Sequence, residues 1–215
     1  SDSGVWDELI EGLNSDIPII SFGYDSTFWE ISNVSLKIVA TVNAYQVYWG
    51  QENITNMLKY IGKEVLDAEY DPQQPAETMW QGIYHPDAEQ AFETIGEYLE
   101  WYKPQKKHTI GILFHRTYWS NGDLEIVDAM IRELENEFDV IPAFCHGMGD
   151  AEKGAKSSGE VTEEFFMDPV KIDALINLQS IFHAGNADKS VSALKKLDIP
   201  VFHPLTVYHK TEEEW

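Results

Sequence analysis

Four apolar runs in the second half of this 215-residue chain stop at or near a histidine. The run TIGILF ends at His115, VIPAF at Cys145 and His146, and PVF at His203, while ALINL is followed a few residues later by His183. Imidazole changes charge near neutral pH and ligates borderline metals such as cobalt, nickel, zinc and iron. If the four runs are neighbouring parallel strands, their rings lie along the carboxyl ends, the edge where open α/β sheets take ligands. Such an edge could hold a divalent metal through His115, His146, His183 and His203, or the carboxylates of a substrate. Taken singly, each is better explained as an ordinary surface histidine, so the case rests on the set. No HExxH or paired CxxC spacing occurs, which argues against a closed structural zinc site.

The segment FHRTYW adds substrate-binding candidates directly after one of these runs. Arg116, one of two arginines in the chain, offers a planar fork for carboxylates. Tyr118 and Trp119 beside it could stack on a flat ring. With His115, these residues would suit a macrocycle bearing acidic side chains; the competing reading is a loop whose aromatics pack beneath it. Gly149 and Gly154 have the separation of a phosphate loop, but Ala155 intrudes before Lys156 and Ser157 and spoils the register. The stretch CHGMGDAEKGAKSSGEVTEE reads instead as a mobile Gly- and Ser-rich surface loop, a candidate lid over the strand edge. Cys145 next to His146 is too local to imply a catalytic dyad, and a cysteine ending a strand is commonly a small core residue.

The elements that must position these groups follow from hydrophobic spacing. Residues 5–13 have helical periodicity and Ile17 to Phe22 reads as a buried strand ending at Gly23. Apolar stripes predict helices over about 32–49, closed by Gly50, and from Asn53 to about Val65. GIYHPDAEQAF, with Pro86 and acidic residues close behind, predicts a helix start running on to Tyr102. Pro104 and the lysines after it mark a linker, which predicts two segments, 1–104 and 105–215. Beyond it the rhythm becomes strand, helix, strand: TIGILF, a helix over 123–138, DVIPAF, a strand entered from 170–178, a helix over 190–197, and IPVF. Near-continuous apolar strands alternating with helices predict an α/β fold, a doubly wound parallel sheet of the Rossmann or flavodoxin-like kind, preceded by a more helical α/β segment.

Composition bounds the partners. Apolar residues make up 43% of the chain, enough for a packed core, and the net charge is −22. Residues 1–104 carry 18 acidic and 4 basic side chains, and residues 105–215 carry 19 and 11. With no basic stripe in either half, nucleic acid and anionic membrane are poor partners. No run is long enough for a membrane span. One cysteine fits a reducing compartment, so a cytoplasmic setting is expected. Starting at Ser1 with no signal-like segment, the chain reads as a soluble piece of something longer.

The motifs taken in order carry a resemblance. IPIISFGYD, AYQVYWGQENITNMLKYI, YHPDA leading into EYLEWY, KKHTIGILFHRTYW, VDAMIRELENEFDVIPAF, IDALINL and IPVFHPLTVYHKTEEEW together resemble the large subunit of cobaltochelatase, the CobN type, and the related H subunit of magnesium chelatase. That resemblance spans nearly the whole chain, with YHPDA and the closing Thr211–Trp215 stretch the most telling parts. It implies a ligase subunit that inserts a divalent metal into a tetrapyrrole, cobalt into a corrin precursor of cobalamin biosynthesis first, with magnesium or nickel as alternatives. ATP would be hydrolysed by separate AAA+ partner subunits, consistent with the broken phosphate loop, and the remainder of the large subunit would be a further partner. The piece alone is expected to be inactive. Where the family has two glycines before the Asn-containing helix, this chain has Trp49-Gly50. Two other classes stay open: a small-ligand α/β module without metal chemistry, and a scaffold segment docking the ATPase subunits.

Overall fold

The computed structural model describes residues 17–23, 25–179 and 187–204. The chain divides into two compact units, Ser1–Thr78 and Met79–Trp215. This division comes earlier than the Pro104 linker, because residues of the 79–104 stretch, Ile83, Phe92, Tyr98 and Tyr102 among them, pack in the core of the sheet.

In the first unit, α1 (Leu36–Tyr48) starts where the Ser35 hydroxyl accepts the Ile38 N–H, and α2 (Gln51–Leu66) follows it. Val42, Tyr45 and Tyr60 form the buried contact between them. No strand occurs among the described residues of this unit: Ile17 to Phe22 is extended, but its amides are satisfied by side chains. Ile19 N–H donates to Asn33 Oδ1 and Ser21 N–H to Ser32 Oγ. The proline-rich stretch after α2 is held the same way. Asn53 both donates to Ala76 O and accepts from Ala76 N–H, and Asn56 accepts from Gln73 N–H.

The turn between the helices is tight. Gly50 has φ 94°, and Trp49 has φ 60° with ψ −173°, a region that is essentially reserved for glycine and costs other residues about 1–3 kcal/mol. Two glycines would suit this turn for that reason. Trp49→Gly should therefore raise the stability of the protein by about 1 kcal/mol after the entropy cost of the added glycine, read as a higher urea midpoint. A lower midpoint would mean that packing of the indole outweighs the strain.

The second unit is a five-stranded sheet. Its elements in chain order are β1 (Gln81–Ile83), α3 (Ile95–Tyr102), β2 (Thr109–His115), α4 (Arg116–Asn121), α5 (Glu125–Leu134), β3 (Asp139–Cys145), α6 (Ser158–Phe166), β4 (Ala174–Asn177), α7 (Ala187–Leu197) and β5 (Val201–Phe202). The order across the sheet is β1-β3-β2-β4-β5. Strands β3, β2, β4 and β5 are parallel, and β1 runs antiparallel to β3. Relabelled from β2 onward the parallel strands read 2-1-3-4, the flavodoxin-like order, which places the topological switch between β2 and β4.

Alternation along the strands divides the core in two. Leu113, Ile141, Ala143, Cys145 and Leu175 pack beneath α3, α6 and α7, among Tyr98, Val161, Phe165 and Leu197. Ile112, Phe114, Val140 and Phe144 face α4 and α5 through Tyr118, Val127 and Ile131. Helices thus cover both faces, as near-continuous apolar strands require, and the sheet is doubly wound.

Four local readings change. The helix expected to open at Pro86 begins at Ile95, because Thr94 and Glu97 form a reciprocal capping box there. Ahead of it lie the short strand β1 and a bridge from Ile83 back to Phe92. His85 of the YHPDA stretch is buried against Tyr98, Trp101 and Tyr102, with Nε2 3.1 Å from Glu135 Oε1 and Nδ1 accepting from Asp87 N–H. Residues 147–157 are a built hairpin and not a loose lid. Asp150 and Ala155 exchange both backbone hydrogen bonds, and Gln81 Oε1 accepts the Lys156 N–H. Finally, residues 158–166 are helical, started by a second capping box of Ser157 and Glu160.

Candidate functional site

The carboxyl edge of β2 and β3 brings two of the expected histidines together. His115 and His146 leave the adjacent strand ends with ring centroids 5.4 Å apart. His115 is the N-cap of α4: its Nδ1 accepts from Thr117 N–H at 3.3 Å and lies 2.8 Å from Thr117 Oγ1. A backbone N–H can only donate, so the neutral ring carries its proton on Nε2. Burial lowers the His115 pKa and the neighbouring His146 lowers it further, opposed by a hydrogen bond to the His146 backbone. Near neutral pH the pair is thus biased against charge on His115. No hydrogen bond among the described residues engages a ring nitrogen of His146.

β1 completes the edge from the other side. Because it runs against β3 with Gln81 opposite Cys145, the residue before it, Trp80, falls opposite His146, and their rings meet edge to face at 6.1 Å. Arg116 is 4% exposed, lies 4.5 Å over the Trp80 ring and donates from Nε to Met79 O at 2.6 Å. A desolvated cation on an indole face is worth about 2 kcal/mol. Burial works against the guanidinium charge. Tyr118 and Trp119 turn inward: Tyr118 meets Phe114 edge-on, and Trp119 stacks on Phe144 at 4.5 Å and 10°. Their rings support the floor of the edge.

The remaining candidates lie elsewhere. His203 is exposed, with Nδ1 3.1 Å from Asn177 Nδ2. Strand order puts three ladder spacings, roughly 14 Å, between the ends of β3 and β5. His183 lies outside the described residues, as does the closing Thr211–Trp215 stretch. Among the described residues no group of three or more His, Cys, Asp or Glu side chains could hold a metal ion by itself.

Gln179, two residues past the end of β4, reaches the carboxyl ends of β2 and β3. Its Oε1 accepts from Ser158 Oγ at 2.6 Å, and its Nε2 lies 3.3 Å from both Phe114 O and Cys145 O. Cys145 is fully buried, and burial raises its thiol pKa, so it is no nucleophile. The near-miss phosphate loop offers no anion seat either. The Glu160 carboxylate takes the Ser157 N–H and hydroxyl at the start of α6. Lys156 and Lys189 around the adjoining pocket of about 410 Å³ pair with Glu164 and Glu160. Trp80 and Gln179 were missed in the sequence. Gln179 closes the ALINLQ run and could have been found by asking for any polar residue at a strand end.

Comparison with known proteins follows this geometry. The family described as CobN/Magnesium Chelatase matches residues 43–215. The uncharacterized protein MJ1441 of Methanocaldococcus jannaschii is 34% identical over 97% of this chain, which covers 16% of that protein. The chloroplastic magnesium-chelatase subunit ChlH of Oryza sativa subsp. indica is 29% identical over 76% of the chain, which covers 13% of it. The solved catalytic subunit of cobaltochelatase from Mycobacterium tuberculosis shares the fold, with a TM-score of 0.57 at 19% identity over 95% of this chain and 16% of that one. The chain thus spans about a sixth or less of the length of these relatives.

Proposed function

Because the chain belongs to the CobN/magnesium chelatase family, we propose that it is part of the tetrapyrrole-binding large subunit of an ATP-dependent metal chelatase. Its reaction is insertion of cobalt into a corrin precursor of cobalamin biosynthesis, with ATP hydrolysed on separate AAA+ subunits in the cytoplasm. The observation that carries this reading is the imidazole of His146, framed by Trp80 and His115 on the carboxyl edge and with no ring-nitrogen hydrogen bond to any described residue. In this reading His146 meets the macrocycle or its incoming metal, His115 and Arg116 hold the edge in place, and the surrounding aromatic surface borders a flat ligand.

Imidazole suits cobalt and nickel better than magnesium, which prefers carboxylate and water oxygens. That donor chemistry is why cobalt is placed first. Magnesium insertion into a porphyrin is the second reading, favoured by likeness to magnesium-chelatase subunits. No helix among the described residues is long and apolar enough to cross a membrane.

The test is a visible-absorption titration of the 215-residue protein with a metal-free corrin and, separately, with protoporphyrin IX. Saturable spectral shifts that weaken at least tenfold in His146→Ala are expected, and Co²⁺ should change the protein-bound spectrum where Mg²⁺ does not. Identical spectra for parent and variant up to high micromolar ligand would refute the binding role. A porphyrin shift answered by Mg²⁺ alone would favour the second reading.

A further inference from the structure

We infer that Gln179 is a positioning residue that sets the spacing of His115 and His146. The β2–β3 ladder ends at the pair His115–Cys145, so ordinary sheet hydrogen bonds stop where the two rings begin. One amide nitrogen continues the stitching. Gln179 Nε2 is 3.3 Å from Phe114 O and from Cys145 O, the carbonyls immediately before the two histidines. Its oxygen is oriented by Ser158 Oγ at 2.6 Å, and its backbone N–H donates to Asn177 Oδ1 at 3.0 Å.

Every group in this stitch is buried: Gln179 is 1% exposed, Ser158 0%, Cys145 0% and Asn177 4%. Displacing that amide would strand buried carbonyls at about 1–3 kcal/mol for each. The stitch ends at the edge where Trp80, His146 and His115 stand together. The choice of Asn177 Oδ1 as acceptor also leaves Asn177 Nδ2 to donate to His203 Nδ1, so the same turn orients a third ring.

The inference rests on reading that edge as the ligand site, but its first readout needs no ligand. In the parent protein, NMR should show a cross-relaxation peak between the imidazole protons of His115 and His146. Gln179→Met, which keeps length and bulk but cannot donate, should lose that peak while methyl signals of Val127 and Ile131 stay in place; metal-free corrin should then bind at least tenfold more weakly. Retention of the peak would overturn the inference. If the Met variant fails to fold, Ser158→Ala decides: it removes only the hydroxyl that orients the amide and should weaken the peak, whereas an unchanged peak would overturn the inference. Absence of corrin binding to the parent would remove the proposed function and leave the peak-based result standing.

Discussion

Arg116→Met should bind a metal-free corrin at least tenfold more weakly than the parent, measured by visible absorption, and Arg116→Lys should resemble Met and not the parent. Arg116 lies flat over Trp80 at 4.5 Å and donates from Nε to the Met79 carbonyl. Methionine leaves that carbonyl without its donor and the indole without its planar cap. Lysine restores the charge but neither the plane nor the fork. Because Trp80 also meets the edge of the His146 ring, a displaced indole alters the proposed contact surface itself. If Lys rescues affinity to within twofold, charge and not shape is what the site needs. If both variants bind normally, Arg116 serves only the fold.

The second large effect concerns stability. Phe144→Ala should cost about 3–5 kcal/mol, the range for removing a fully buried aromatic. Phe144 is 0% exposed, stacks on Trp119, and lies tilted against Phe114 with centroids 6.0 Å apart. Across the β1–β3 pairing its ring sits so close to Gly82 that a Cβ there would come within 3.0 Å of Phe144 Cζ. Neighbours on three sides are strand and helix, so collapse into the void is limited. Urea denaturation should show a lower midpoint at unchanged slope. A loss under 1 kcal/mol would mean that Trp119 refills the space. Phe202, 59% exposed on β5, is the internal control, and its truncation should be nearly neutral.

What the sequence made legible was whatever is written in runs and periods. TIGILF and DVIPAF became β2 and β3 because strands buried on both faces are continuous apolar stretches, while IPVF became the short edge strand β5, whose two residues are exposed. The helices over 36–48, 51–66 and 125–134 followed from apolar stripes. Elements governed by a few polar atoms were harder to read. Thr94 with Glu97 and Ser157 with Glu160 are capping boxes visible in the letters, yet acidic richness hid both, and with them the starts of α3 and α6. Ile17 to Phe22 has a strand's composition but pairs with Asn33 and Ser32 side chains at long sequence separation, which no local pattern reveals. Strand β1 has only three residues, too few for any period.

The site divided along the same line. The rule that chemistry gathers at strand ends placed His115 and His146 side by side, since adjacent parallel strands finish together. It also named Arg116, Tyr118 and Trp119, whose roles depend on direction: Arg116 turns toward Trp80 while Tyr118 and Trp119 pack on Phe114 and Phe144, which spacing alone did not resolve. Trp80 arrives through an antiparallel strand, and Gln179 is an uncharged residue. A search tuned to metal ligands passed over both.

The reversed direction of β1 has one more consequence. It is the beginning of that strand, and not its end, that reaches the carboxyl rim, so the covalent thread leaving Thr78 enters the sheet through Met79 and Trp80. Arg116 grips the first of these by its carbonyl and the second by its ring. The first two residues of the second unit are thereby anchored to the helix that starts where β2 ends.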